Sequence, residues 1–88
     1  MVSEDELKGL ILFKLNRKGK WGHSHIPFDK ITRFVPSHLR GTVKEITQQL
    51  IKDGLIISKP TFYGLEISLN NSRKSEIDGL IKKFGPRL

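Results

Sequence analysis

After Gly54 the apolar residues of this 88-residue chain change their spacing, and that change limits the folds open to it more than any other feature. Before it, Leu39, Val43, Ile46 and Leu50 stand at i, i+4, i+7 and i+11, the repeat of one buried helix face. Beyond it, Leu55 and Ile57, then Leu65, Ile67 and Leu69, recur at every second position, with Glu66 and Ser68 facing out between them. That is the repeat of a half-buried hairpin. A helix that runs straight into a hairpin must pack against it, so the chain belongs to the α+β class. Gly54 after Asp53 suits the left-handed cap that ends such a helix. The connection from Ser58 to Gly64 holds Pro60 and Gly64, which predicts a loop longer than a two-residue turn.

Three more helices are expected. Ser3 with Glu6 forms a capping box, and Leu7, Leu10, Ile11 and Leu15 then repeat at helical spacing until Arg17, Lys18 and Gly19. Leu12 and Phe13 widen this first stripe, so a second surface must cover it, either another helix of the chain or a partner subunit. Gly9 within the helix costs about 1 kcal/mol against Ala and points to close packing there. Ile26 and Pro27 form a short extended piece before a second helix, roughly Phe28 to Val35, which Pro36 ends. Phe28, Ile31, Thr32 and Val35 supply its inner face. The third helix starts between Ser37, a cap candidate, and Thr42, which with Glu45 makes a second capping box. Asn70, Asn71 and Ser72 break the last strand and offer a cap for a fourth helix, about 72–84, carrying Ile77, Leu80, Ile81 and Phe84. Without repeats or low-complexity segments, residues 1–88 read as one domain.

Several function classes are set aside by composition. The chain has no cysteine, so disulfides, thiolate chemistry and sulfur-ligated zinc are excluded. The longest apolar run, Leu10 to Phe13, is far too short for a bilayer, and Ser3, Glu4, Asp5 and Glu6 do not resemble a signal peptide; no membrane and a cytoplasmic setting are expected. No nucleophile elbow, phosphate loop or paired carboxylates are found, so neither catalysis nor a cofactor is expected. His23, His25 and His38 lack carboxylates or cysteines at ligand spacing, and no metal site is expected. What remains is charge: sixteen Lys and Arg against nine Asp and Glu give +7, which favours a polyanionic partner.

The order helix, extended piece, helix, turn, helix, hairpin, helix resembles the winged helix-turn-helix superfamily. The residues that carry the likeness are Val43, Leu50, Asp53, Gly54, Leu55 and Ile56, a helix ending in a Gly-Leu-Ile step into a strand. More narrowly, Lys59-Pro60-Thr61, Tyr63-Gly64-Leu65 and Ser68-Leu69-Asn70 resemble small, poorly characterised winged-helix proteins of archaea. The resemblance covers about residues 4–69, with the fourth helix as an appendage, and it implies binding to nucleic acid, above all double-stranded DNA in transcriptional regulation.

In such a fold the third helix enters the major groove and the hairpin is the wing. Arg40, Lys44, Gln48 and Lys52 recur every four residues away from the buried stripe; Arg and Gln read guanine and adenine, and Lys neutralises phosphate. Glu45, beside them, is a point against unless it caps the helix. On the wing, Lys59 would lie near phosphate, while Phe62 and Tyr63 either reach the minor groove or fold back over the hairpin. Arg17, Lys18 and Lys20 form the densest basic cluster and a flanking phosphate clamp, with Trp21 read as structural. Two other partners stay open: a protein within a larger nucleic-acid-processing complex, and RNA stacked on Trp21, Phe62 or Tyr63. A homodimer through Leu10 and Phe13 of the first helix and the face of the fourth competes with packing of the two within one chain.

Overall fold

The Ser3 hydroxyl accepts the Glu6 backbone N–H at 3.1 Å, and from this cap helix α1 runs over Glu4–Arg17. The computed structural model describes residues 3–33 and 35–86. Acidic Glu4, Asp5 and Glu6 in the first turn and basic Lys14 and Arg17 in the last both complement the helix macrodipole. Leu7, Ile11, Leu12 and Leu15 are buried, which no single packing contact could achieve. They are covered by three elements of the same chain: helix α2 (Arg40–Lys52), helix α3 (Lys74–Phe84) and strand β3 (Gly64–Leu69). Ile77 of α3 is fully buried, and Leu10, Leu80 and Ile81 pack on the same cluster while remaining partly exposed.

Gly9 lies where α1 meets the end of α3. A Cβ there would sit 2.6 Å from the Phe84 carbonyl carbon and 2.8 Å from the Gly85 nitrogen, backbone atoms that cannot swing aside. The glycine is thus what lets the two helices approach.

The expected second α-helix is a 3-10 helix of five residues, Phe28–Thr32. The segment lies between Pro27 and Pro36, and the residue before a proline is pushed out of helical conformation, so too few residues remain for an α-helical nucleus. Thr32 Oγ1 donates to the Asp29 carbonyl at 2.9 Å and Arg33 N–H to the Lys30 carbonyl at 3.1 Å, bonds of the tighter three-residue repeat. Ile31, Thr32 and Val35 are buried and Phe28 half-buried, so the inner face survives the change of helix type.

Neither expected cap of α2 forms. A single 3-10 turn, Ser37–Leu39, precedes the helix, and no side chain caps either element. Instead Leu39 N–H donates to the Pro36 carbonyl and Arg40 N–H to the Ser37 carbonyl, leaving Thr42 and Glu45 inside the helix. Val43, Ile46, Thr47 and Leu50 make the buried face of α2, with Thr47 Oγ1 satisfied by the Val43 carbonyl at 2.7 Å.

Strand β1 (Ile26–Pro27), strand β2 (Ile56–Thr61) and β3 form an antiparallel sheet in the order β1-β3-β2. The expected alternation on β2 is corrected here. Gly54, at φ +81°, turns the chain sharply, and Leu55 remains in that turn, its N–H donating to the Leu50 carbonyl. Ile56 is therefore the first inward strand residue, opposite Leu69, while Ile57 faces out opposite Ser68. Ser68, expected outside, is buried on β3, the central strand, which is flanked by β2 on one side and on the other by β1 and, at Leu69, by Lys20 and Gly22.

Asn70 fastens the two ends of this layout. Its Nδ2 donates to the Gly54 carbonyl at 2.8 Å, and its Oδ1 accepts from Ser72 N–H and Oγ at the 3-10 turn Asn71–Arg73 that leads into α3. Among the described residues no helix is long and apolar enough to cross a membrane.

Changing Gly9 to Ala is expected to lower stability by about 1–3 kcal/mol through overpacking. Gly79 of α3 has nothing within 4 Å of its would-be Cβ, and Gly79→Ala should raise stability by about 0.5–1 kcal/mol. Urea unfolding midpoints read both; a Gly9→Ala midpoint at or above the wild-type value would remove the close approach from the account.

Candidate nucleic-acid interface

The outward side of α2 is set by its buried side. Opposite Val43, Ile46, Thr47 and Leu50, a 100° step per residue puts Gly41, Glu45, Gln48 and Lys52 at the centre of the exposed face. Arg40 and Lys44 then stand on one flank. All six are exposed, so the four residues picked from the sequence do share the solvent side of one helix. They are not equivalent, however. Lys44 Nζ lies 3.7 Å from Asp29 Oδ1 of the 3-10 helix, with the two side chains 48% and 89% exposed, so this is a solvated pair of small energy. Glu45 does not cap the helix and remains an exposed carboxylate amid the row.

The hairpin extends further than expected. Its strands continue to Thr61 and restart at Gly64, leaving only Phe62 and Tyr63 as the turn. Pro60 does not interrupt β2, because β2 is an edge strand and proline lacks only a donor that an edge can spare. Thr61 Oγ1 donates to the Gly64 carbonyl at 2.6 Å and accepts the Tyr63 N–H at 3.3 Å, and Gly64 takes φ +126°, which disfavours a side chain. From Ile56 to Thr61 the strand projects by roughly 17 Å, carrying the tip well beyond the core.

At that tip Phe62 and Tyr63 are each 96% exposed. Their rings touch one another edge to face, 5.5 Å apart at 82°, and do not fold back over the hairpin. Of the two alternatives open for these aromatics, the folded-back one is removed. Lys59, three residues before the tip, is exposed and pairs across the ladder with Glu66.

The cluster Arg17, Lys18 and Lys20 is split by the fold. Arg17 is exposed at the end of α1, and Lys18 is the helix C-cap. Lys20 is half-buried, because its carbonyl accepts the Leu69 N–H at 2.7 Å and the backbone there runs beside β3. Trp21 is half-buried against the core; its Nε1–H donates to Asn16 Oδ1 at 3.0 Å and Lys74 Nζ lies 5.4 Å over its ring. It is a structural residue.

Lys18 instead joins residues that sequence spacing did not group. Lys14 of α1, its C-cap Lys18, and Lys30 and Arg33 from the 3-10 region line one open depression. The spacing of Lys14 and Lys18 was visible as an i, i+4 pair, but their meeting with Lys30 and Arg33 depends on tertiary structure. Among the described residues no group of three or more His, Cys, Asp or Glu could hold a metal ion.

Compared with protein-family models, curated proteins and solved structures, the chain matches none.

Replacing both tip residues, Phe62→Ser with Tyr63→Ser, is expected to change stability by no more than about 0.5 kcal/mol, since neither ring is buried. Chemical denaturation of the double variant checks this; a loss above about 1 kcal/mol would mean the rings pack in solution.

Proposed function

We propose that the chain is a winged helix-turn-helix module that binds double-stranded DNA, with α2 presented to the major groove and the β2–β3 hairpin serving as the wing. The carrying observation is that Arg40, Lys44, Gln48 and Lys52 are all exposed on α2 while its opposite side is sealed in the core. A helix about 10–12 Å across fits a groove about 12 Å wide, and this one offers three cations and an amide to it. The order α1, β1, a short helical turn, α2 and hairpin supports the fold part of the reading. The departure is the shortened second helix, whose 3-10 form still lies against α2 through Asp29 and Lys44. Glu76 and Asp78 of α3 are paired with Arg73 and Lys74, whereas Glu45 stands exposed within the α2 row and opposes the approach of phosphate. Regulation of transcription is the cellular role this reading favours.

A second reading rests on the hairpin tip. Two fully exposed aromatic rings suit stacking on unpaired bases, worth about 1–3 kcal/mol per base, as in recognition of single-stranded RNA.

A mixed-sequence duplex titrated by fluorescence anisotropy should bind, and its affinity should fall steeply between about 50 and 200 mM salt. Arg40→Ala with Lys44→Ala should weaken binding by about tenfold or more while leaving the unfolding midpoint near wild type. Wild-type affinity in that variant would move the interface off α2. Single-stranded RNA outcompeting the duplex would favour the second reading.

A further inference from the structure

We infer that the tip of the β2–β3 hairpin is an end-stacking element that places an aromatic ring on the open face of the last base pair of a duplex. The substrate class is then duplex DNA with a free end or a junction with single strand. The inference rests on the reading of α2 as a duplex-binding helix and gives the tip a ligand which that reading leaves open.

The turn is built to present its rings. The ladder runs unbroken to the pair Thr61 and Gly64, so only Phe62 and Tyr63 turn the chain, and both are almost wholly exposed. Thr61 Oγ1 donates to the Gly64 carbonyl and accepts the Tyr63 N–H, which braces the turn from within. Rings held on such a turn have little conformational freedom left to lose on binding. Among the described residues neither ring packs on the core cluster. Keeping two rings in water is unfavourable for the chain alone, so the benefit of the arrangement lies in a partner.

The chemistry around the rings narrows that partner. From Ser58 to Leu65 the chain holds one charge, Lys59, and Glu66 stands opposite it on β3. These two charges offset each other, so the tip lacks the excess of cations that phosphate or an anionic lipid surface would call for. Pro60 and Leu65, exposed and paired across the ladder, continue the apolar surface behind the rings. The tip suits a flat, uncharged π face, which in a nucleic acid is the face of a base.

Within a continuous duplex every base face is covered by its neighbours. A ring reaches one only after a base step is unstacked, at a cost of the same order as the new contact returns. At an end, or where the second strand stops, one face is already open and that cost vanishes. A basic helix that fits a groove and a ring that fits a bare base face are thus served together by one ligand, a duplex with a terminus. The two rings stand at 82° with centroids 5.5 Å apart, so only one of them can lie flat on the pair and the tip covers a single base face.

The test compares a short blunt duplex with the same duplex closed at both ends by flexible non-nucleotide linkers, using anisotropy at one salt concentration. The wild-type protein should bind the open form at least about fivefold more tightly, the gain of one stacked base. Phe62→Ser with Tyr63→Ser should abolish that preference while binding the closed form as before. A 2-aminopurine in the terminal pair should change its emission when the wild type binds and not when this double variant binds. Arg40→Ala with Lys44→Ala should weaken both forms alike. Equal wild-type affinity for the two forms, or a preference that survives loss of both rings, overturns the end-stacking role while leaving the α2 reading intact. Tighter binding to either separated strand than to the open duplex overturns it in favour of unpaired bases, and tip-dependent binding to phosphatidylcholine vesicles overturns it in favour of a lipid surface. A wild-type protein that binds neither duplex overturns the functional reading and this role together.

Discussion

Helix α1 must be buried on more than one side, and the rest of the molecule is arranged to meet that demand. Leu7, Ile11, Leu12 and Leu15 cover too wide an arc for one neighbour, so α2, α3 and β3 all pack against the same fourteen residues. In a chain this short the area buried by that shared wall is a large part of what offsets the conformational entropy of folding. The approach of α3 depends on Gly9, where backbone of one helix end takes the space a side chain would fill.

This arrangement decides which surfaces remain available. Once α2 has turned Val43, Ile46, Thr47 and Leu50 inward, its cations can only lie outside. The hairpin leaves α2 through Gly54 and Leu55, with Asn70 holding the Gly54 carbonyl at the base, so the strands project as a fixed unit. The exposed rings at its tip are thus the consequence of a short turn on a long ribbon. Burying even one such ring against a partner removes on the order of 150–250 Å² of surface from water, an advantage realised only in a complex.

Electrostatics adds an asymmetry that the formal charge of +7 does not express. Glu76 and Asp78 pair with Arg73 and Lys74 within α3 and its leading turn, while Asp29 draws Lys44 toward the 3-10 helix. The positive residues of α2 and of the depression are then linked through one short element, Phe28–Thr32.

Local periodicity was enough to read α1, α2, the hairpin and α3, along with the Ser3 cap, the close packing at Gly9 and the outward row from Arg40 to Lys52. Each left its mark in residues close to one another along the chain, even where, as at Gly9, the partner is distant. Reading failed where two tendencies competed over a few residues: prolines against an apolar face at Phe28–Val35, a sharp turn against alternation at Leu55–Ile57, and Pro60 against strand continuation at the edge. At the first two the local backbone constraint won, the prolines and the turn at Gly54, and at Pro60 the edge position of β2 decided, a property of the assembled sheet. The sequence by itself determined which side chains could be charged and exposed, whereas only the tertiary structure decided that Lys18 leaves Lys20 for Lys30 and Arg33. Adjacency along a chain reports torsion and local hydrogen bonding, but the meeting of charges across a surface depends on how helices and strands pack.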